Sequence, residues 1–192
     1  MFSETKEGHQ RTNDKSKHKK KYGNKTGRTF SRMSPHRIPI LQVDALIDAV
    51  NNNNNSTDRR TMVFANTVEA VEAVADILEK ASIQCYRYHK NHTLEERANI
   101  LADFRENGGV FVCTDAAARG VDVPNVSHVI QADFSSCVVD FLHRIGRTAR
   151  AGQYGTVTSL YTEASRDLVE AIREAVKDGS ASGNCIQQEK RF

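Results

Sequence analysis

Residues 143–150 read His-Arg-Ile-Gly-Arg-Thr-Ala-Arg, four cationic or near-cationic side chains at fixed offsets around one glycine. A charge run placed for solubility has no use for Gly146 or for the spacing of Arg147 and Arg150. Guanidinium forks three residues apart on one turn can converge on a single tetrahedral anion, and phosphate fits them best. A second segment, from Thr114 to Asp122, gathers a hydroxyl, two carboxylates, Arg119 and Gly120 within nine residues. Thr114 and the amides near Gly120 can donate to a phosphate oxygen, and Asp122, which only accepts, can hold a ribose hydroxyl. A purely structural alternative stands beside this: Thr114 or Asp115 caps a helix and Arg119 pairs with a nearby acid.

The chain that must position these residues has 192 residues, enough for one domain plus a tail. Hydrophobic residues make up 39%, and no apolar run approaches the ~20 residues of a membrane span. Membrane partners are therefore not expected. The net charge of +3 hides an asymmetry. Residues 1–37 carry eleven Lys/Arg against three Asp/Glu, and the remainder carries sixteen against twenty-one. The tail is basic and the body mildly acidic.

Segment 1–37 has almost no large apolar side chains and cannot offset its own ordering entropy, so a disordered basic tail is expected. It serves either to grip RNA or address the protein, or as a solvated leader with no such role. Cysteines 85, 113, 137 and 185 lack paired metal-site spacing. Three of the four sit in or near apolar runs, which points to buried free thiols in a reducing, intracellular compartment. No secretory signal follows Met1, and Glu4, Glu7 and Asp14 fit a transit peptide poorly.

Ordered structure is expected over 38–180, with a flexible tail at 181–192. Leu41, Ala45, Leu46 and Val50 recur at helical spacing before the asparagine run 51–55. Strands are then expected at 61–65, 83–88, 110–113, 126–131 and 156–161. Helices are expected at 68–80, after a Thr93 cap, at 138–144 and at 164–177. Leu94, Ile100, Leu101 and Phe104 read as the apolar face of the third helix. Leu168, Ile172 and Val176 read as that of the last. Short apolar strands alternating with amphipathic helices argue for an α/β domain, a parallel sheet covered on both faces. In such sheets the site lies on loops after the strands.

CTDAAARGVD at 113–122, followed by HRIGRTARAG at 143–152, resembles motifs V and VI of the DEAD-box RNA helicases. VSHVIQAD at 126–133 is similar to the strand joining those motifs, and Val63-Phe64-Ala65-Asn66-Thr67 resembles motif IV. Order and spacing agree from about residue 61 to residue 161, and the wording is most similar to plant organelle-type members. The resemblance implies a single RecA-like domain, the second lobe of an ATP-dependent helicase. It implies that Arg147 and Arg150 are arginine fingers for the γ-phosphate. His143 couples the site to a facing lobe with Arg144 as its partner, and Asp122 contacts the ribose. Thr67, Thr114 and Gly120 touch the RNA backbone. Arg97 belongs to a glutamine-x-x-arginine element that contacts RNA and supports motif VI through Phe64. Arg119 takes no assigned role.

Three positions depart from the family pattern. Leu94 replaces the expected glutamine, Lys90 replaces a small residue after His89, and Ala149 replaces the commoner glycine, a change that a helical turn should tolerate. No G-x-x-x-x-G-K-[S/T] loop and no Asp-Glu-Ala-Asp tetrad occur in the sequence. ATP with Mg2+ is accordingly expected to be held mainly by a first RecA-like lobe, and this chain alone is expected to be inactive. RNA and that lobe are the implied partners, and the chain is expected to be monomeric. A chloroplast or other organelle is implied by the resemblance alone, with the cytoplasm or nucleus as the alternatives. The rival reading is a truncated, non-catalytic RNA-binding adaptor. Among the remaining features, His89 and His92 read either as RNA-stacking groups or as an exposed loop. His128 reads as a satisfied core histidine. Asp140 and His143 beside Ser135 or Ser136 lack the nucleophile elbow of a hydrolase.

Overall fold

The computed structural model describes residues 40–52, 60–150, 152–175 and 185–191. The basic segment 1–37, most of the asparagine run and Val176 lie outside the described residues. Six parallel strands form one sheet: β1 (Arg60–Ala65), β2 (Cys85–Tyr88), β3 (Gly109–Thr114), β4 (Val126–Gln131), β5 (Gly155–Tyr161) and β6 (Cys185–Arg191). Their order is β2-β3-β1-β4-β5-β6. The helices are α1 (Ile40–Asn51), α2 (Val68–Lys80), α3 (Leu94–Asn107), α4 (Asp115–Ala118), α5 (Val138–Ile145) and α6 (Arg166–Ala175).

The central strands are apolar on both faces because helices cover both. Along β1, Met62 and Phe64 point to one side, where Phe104 of α3, Phe141 and Ile145 of α5 and Ile172 of α6 pack. Val63 and Ala65 point to the other, against Leu46 and Val50 of α1 and Val71, Val74 and Leu78 of α2. Strict alternation of side chains along the strand sends neighbours into different cores.

Two elements differ from expectation. Residues 185–191, expected in a flexible tail, form β6 and pair in parallel with β5. Leu94, expected on the apolar face of α3, is 78% exposed. Thr93 and Glu96 form a reciprocal capping box, and Leu94 falls in that first turn, ahead of the stripe made by Ile100, Leu101 and Phe104.

Candidate functional site

The strand order places β1 between β3 and β4. α2 leaves β1 toward one face while α5 follows β4 on the other. A crevice between the ends of β1 and β4 is where a ligand ordinarily settles in such a sheet. Arg144 fills it, with its side chain 1% exposed. Its Nε and Nη2 grip the two Asp115 oxygens at 2.7 and 2.5 Å. Nη1 donates to Gln131 Oε1 at 3.2 Å and to the Asp133 carbonyl at 2.7 Å, and Nη2 donates to Asn66 Oδ1 at 2.6 Å. All five guanidinium donors are used. The guanidinium carbon also lies 5.4 Å from the centre of the Phe64 ring, so a cation seated on Phe64 is Arg144. The sequence assigns Arg144 to coupling between lobes; the structure makes it an internal strut joining the ends of β1, β3 and β4.

Beyond α5 the chain does not continue as a helix. Gly146 ends it, and Ala149 has φ +53°, a left-handed conformation that costs a residue bearing a Cβ roughly 1–2 kcal/mol. The helical turn expected for Ala149 is therefore absent. What fixes the turn is contact with its neighbours. Thr148 Oγ1 donates to the Val126 carbonyl at 2.5 Å. A Cβ on Gly155 would sit 2.1 Å from Thr148 Oγ1 and 2.7 Å from the Ala149 nitrogen, so only glycine allows this approach.

The turn aims Arg147 and Arg150 into a cleft of about 210 Å³ that they line with Asp122, Val123, Asn125 and Gln153. The cleft lies beside the start of β4 and β5, not over the strand ends, because α5 runs back along the sheet before releasing residues 146–150. Arg147 Nη1 donates to the Val121 carbonyl at 2.7 Å, and Arg150 Nε donates to the Gly146 carbonyl at 2.6 Å. Arg150 Nη1 stands 3.7 Å from Asp122 Oδ1, whose side chain is 84% exposed. Burial, and after it the neighbouring Arg150 charge, hold the Arg147 pKa below the usual arginine value. Arg147 is half-buried and Arg150 exposed, and the carboxylate beside them is exposed and paired loosely with Arg150. His143 is exposed on α5, clear of the Arg144 network.

Three threonines after the strands cap the helices that follow. Thr67 caps α2 through the Ala70 amide at 3.1 Å, and Thr93 caps α3 through the Glu96 amide at 3.2 Å. Thr114 accepts from the Ala117 amide at 3.3 Å at the start of α4. Each hydroxyl accepts one hydrogen bond and keeps its own proton for another partner. Gly120 has φ +76° and is exposed, and Arg119 stands 3.9 Å from Asp140. Arg97 is half-buried with its Nε lacking a partner.

Other sequence candidates resolve as structure. His89 is buried, its Nε2 2.6 Å from Glu72 Oε1 and its ring stacked on His92 at 4.1 Å, so it is not an exposed loop residue. Tyr86 and Tyr88 pack on Phe104 and Phe111. His128 bonds Thr158 through Nε2 at 2.9 Å but leaves Nδ1 without a partner, so it is only half satisfied. Asp140 accepts from Ser136 and Cys137. Cys85, Cys113 and Cys137 are free thiols, but Cys137 is exposed, having become the N-cap of α5. Among the described residues no group of three or more His, Cys, Asp or Glu is placed to hold a metal ion. Among the described residues no helix is long and apolar enough to cross a membrane.

A doubly covered parallel sheet, a motif VI turn against a motif V carboxylate and threonine-capped helix starts together define a RecA-like helicase lobe. The helicase conserved C-terminal domain profile matches residues 41–152, and the chain belongs to that family, in its DEAD-box branch. It is similar to DEAD-box ATP-dependent RNA helicase 22 of Arabidopsis thaliana, 83% identical over 173 residues, 88% of this chain and 30% of that protein. The Oryza sativa subsp. japonica protein of the same name is 64% identical over 141 residues, covering 70% and 24% respectively. The chain thus spans about a third or less of these relatives' length. Among solved structures, E. coli DEAD-box protein SrmB, bound to regulator of ribonuclease activity A, superposes with a TM-score of 0.64 at 29% identity, covering 79% of this chain and 84% of that one. Mss116p DEAD-box helicase domain 2 bound to an RNA duplex gives 0.63 at 26% identity, covering 79% and 60%.

Proposed function

We propose that this chain is the second lobe of an ATP-dependent RNA helicase and supplies Arg147 and Arg150 to the γ-phosphate of ATP held mainly by a first lobe. The observation that carries this is the cleft in which both arginines and Asp122 meet. Asp122, 84% exposed, can accept from a ribose hydroxyl; Arg147 is held by one backbone carbonyl, Arg150 by another and by a loose ion pair with Asp122, and a phosphate is a stronger, anionic acceptor than a carbonyl. Their cationic forks stabilise charge that develops as the phosphoryl group transfers. His143, exposed beside this turn, is the group available to a facing lobe.

RNA is assigned to the other end of the sheet. β2, β3 and β1 are neighbours in the sheet, and the helices that follow them are capped by Thr93, Thr114 and Thr67. Hydroxyls and first-turn amides in such a row suit successive backbone phosphates, with Gly120 allowing close approach and Arg97 supplying charge. Contacts of this kind read shape and not sequence. That Mss116p domain 2 binds an RNA duplex supports RNA as the ligand of this lobe.

The test combines the chain with the region of the Arabidopsis relative that precedes the match, and follows RNA-stimulated ATP hydrolysis. The chain alone is expected to be inactive and the combination active. Arg147→Ala or Arg150→Ala should each lower kcat by about a thousandfold, within the range of arginine fingers. Turnover by the chain alone, or activity that survives both substitutions, refutes the proposal. RNA binding without any restored hydrolysis favours the adaptor reading.

A further inference from the structure

α3 starts at the threonine-lined edge of the sheet and carries Arg105 in its last turn, beside the cleft. Arg105 lies in neither motif V nor motif VI. Its Nε donates to the Asp122 carbonyl at 2.9 Å, and its Nη2 donates to the same oxygen. The Arg105 carbonyl in turn accepts from Arg60 Nη2 at 2.5 Å, at the start of β1. One residue upstream, the Val121 carbonyl accepts from Arg147. Two consecutive carbonyls of one loop are thus held by arginines from different elements.

This loop has little else to define it. Among the described residues no backbone–backbone hydrogen bond pins residues 122–125. The Asp122 carboxylate projects into solvent with Arg150 as its neighbour at 3.7 Å. The direction of that carboxylate therefore depends on its own carbonyl, and a carbonyl with both lone pairs engaged by one planar fork has little freedom to rotate.

We propose that Arg105 is a positioning residue for ribose recognition, setting Asp122 at the lip of the cleft. The proposal rests on the cleft being the nucleotide site. It also makes α3, 14 residues long, a rigid link of about 20 Å between the RNA-directed edge and the ribose contact.

Arg105→Met keeps the aliphatic stem and removes the fork. In the two-lobe combination it should raise KM for ATP about tenfold with kcat within about twofold, the loss of binding shared by ground and transition states. The preference for ATP over 2′,3′-dideoxy-ATP, measured as a ratio of kcat/KM, should collapse toward that of Asp122→Ala. The double variant should be no worse than Asp122→Ala alone. Arg105→Lys, with donors on one nitrogen only, should fall between wild type and Arg105→Met and guards against a folding artefact. An undiminished ribose preference in both Arg105 variants overturns this inference alone. A wild-type protein with no ribose preference, or an Asp122→Ala variant that keeps it, removes the nucleotide reading of the cleft and this inference with it.

Discussion

Replacing Arg144 by lysine keeps the charge and removes the fork. Lysine offers three donors on one nitrogen where Arg144 uses five on three, reaching both Asp115 oxygens, Gln131, the Asp133 carbonyl and Asn66. At least two of those acceptors lose their partner in a place where the guanidinium is 1% exposed and water has little access. Each stranded acceptor costs about 1–3 kcal/mol, so Arg144→Lys should lose roughly 2–6 kcal/mol. Arg144→Met, which leaves the half-buried Asp115 without its cation and strands every acceptor of the fork, should lose about 3–5 kcal/mol. Against a domain stability of about 5–15 kcal/mol either change is severe. Urea denaturation of the purified chain, followed by circular dichroism, measures it, with the slope checked for constancy. A loss below about 1 kcal/mol for Arg144→Lys at unchanged slope refutes the claim that one fork joins three strand ends.

Ala149→Gly relieves a left-handed residue and should add about 1 kcal/mol, a rise in melting temperature of about 2–4 °C; no rise would show that the turn is unstrained. Burial pushes the His128 pKa down from 6.5 to about 4. The unfolded chain then takes up this proton first, so stability present above about pH 6.5 is lost as pH falls toward 4, by up to roughly 3 kcal/mol. His128→Gln should flatten that limb in denaturation curves measured between pH 4 and 7, and an unaltered limb would show that other groups govern it. A thiol reagent at pH 8 should label exposed Cys137 before Cys85, whose pKa burial raises to about 11. Cys113, fully buried and pushed higher still, should react only on unfolding, and early labelling of Cys113 would contradict its place in β3.

Strand and helix alternation was legible because apolar runs and helical stripes are local signals, and the bounds of α2 and β4 match the expected spans. Where local signal is lacking, the sequence misled. Cys185–Arg191 is mostly polar and becomes a strand only because the edge of β5 supplies partners. Ala149 carries nothing in its identity that announces φ +53°; its conformation comes from Gly155 and Thr148 packed against it. The role of Arg144 depends on Asn66, Asp115 and Gln131, each on a different segment, so no spacing reveals it. Arg105 is silent in the sequence for the same reason, its partner being a backbone carbonyl that any residue at position 122 would supply.

The threonine caps carry a consequence for any attempt to harden this lobe. Aspartate and asparagine cap helices at least as well as threonine, so substitutions aimed at stability alone would favour Asp at positions 67, 93 and 114. An aspartate there would also place a fixed negative charge and no donor at the spot assigned to a phosphate. Threonine is the weaker cap that leaves the position receptive to an anion, so stabilising variants at these three sites should trade RNA affinity for melting temperature.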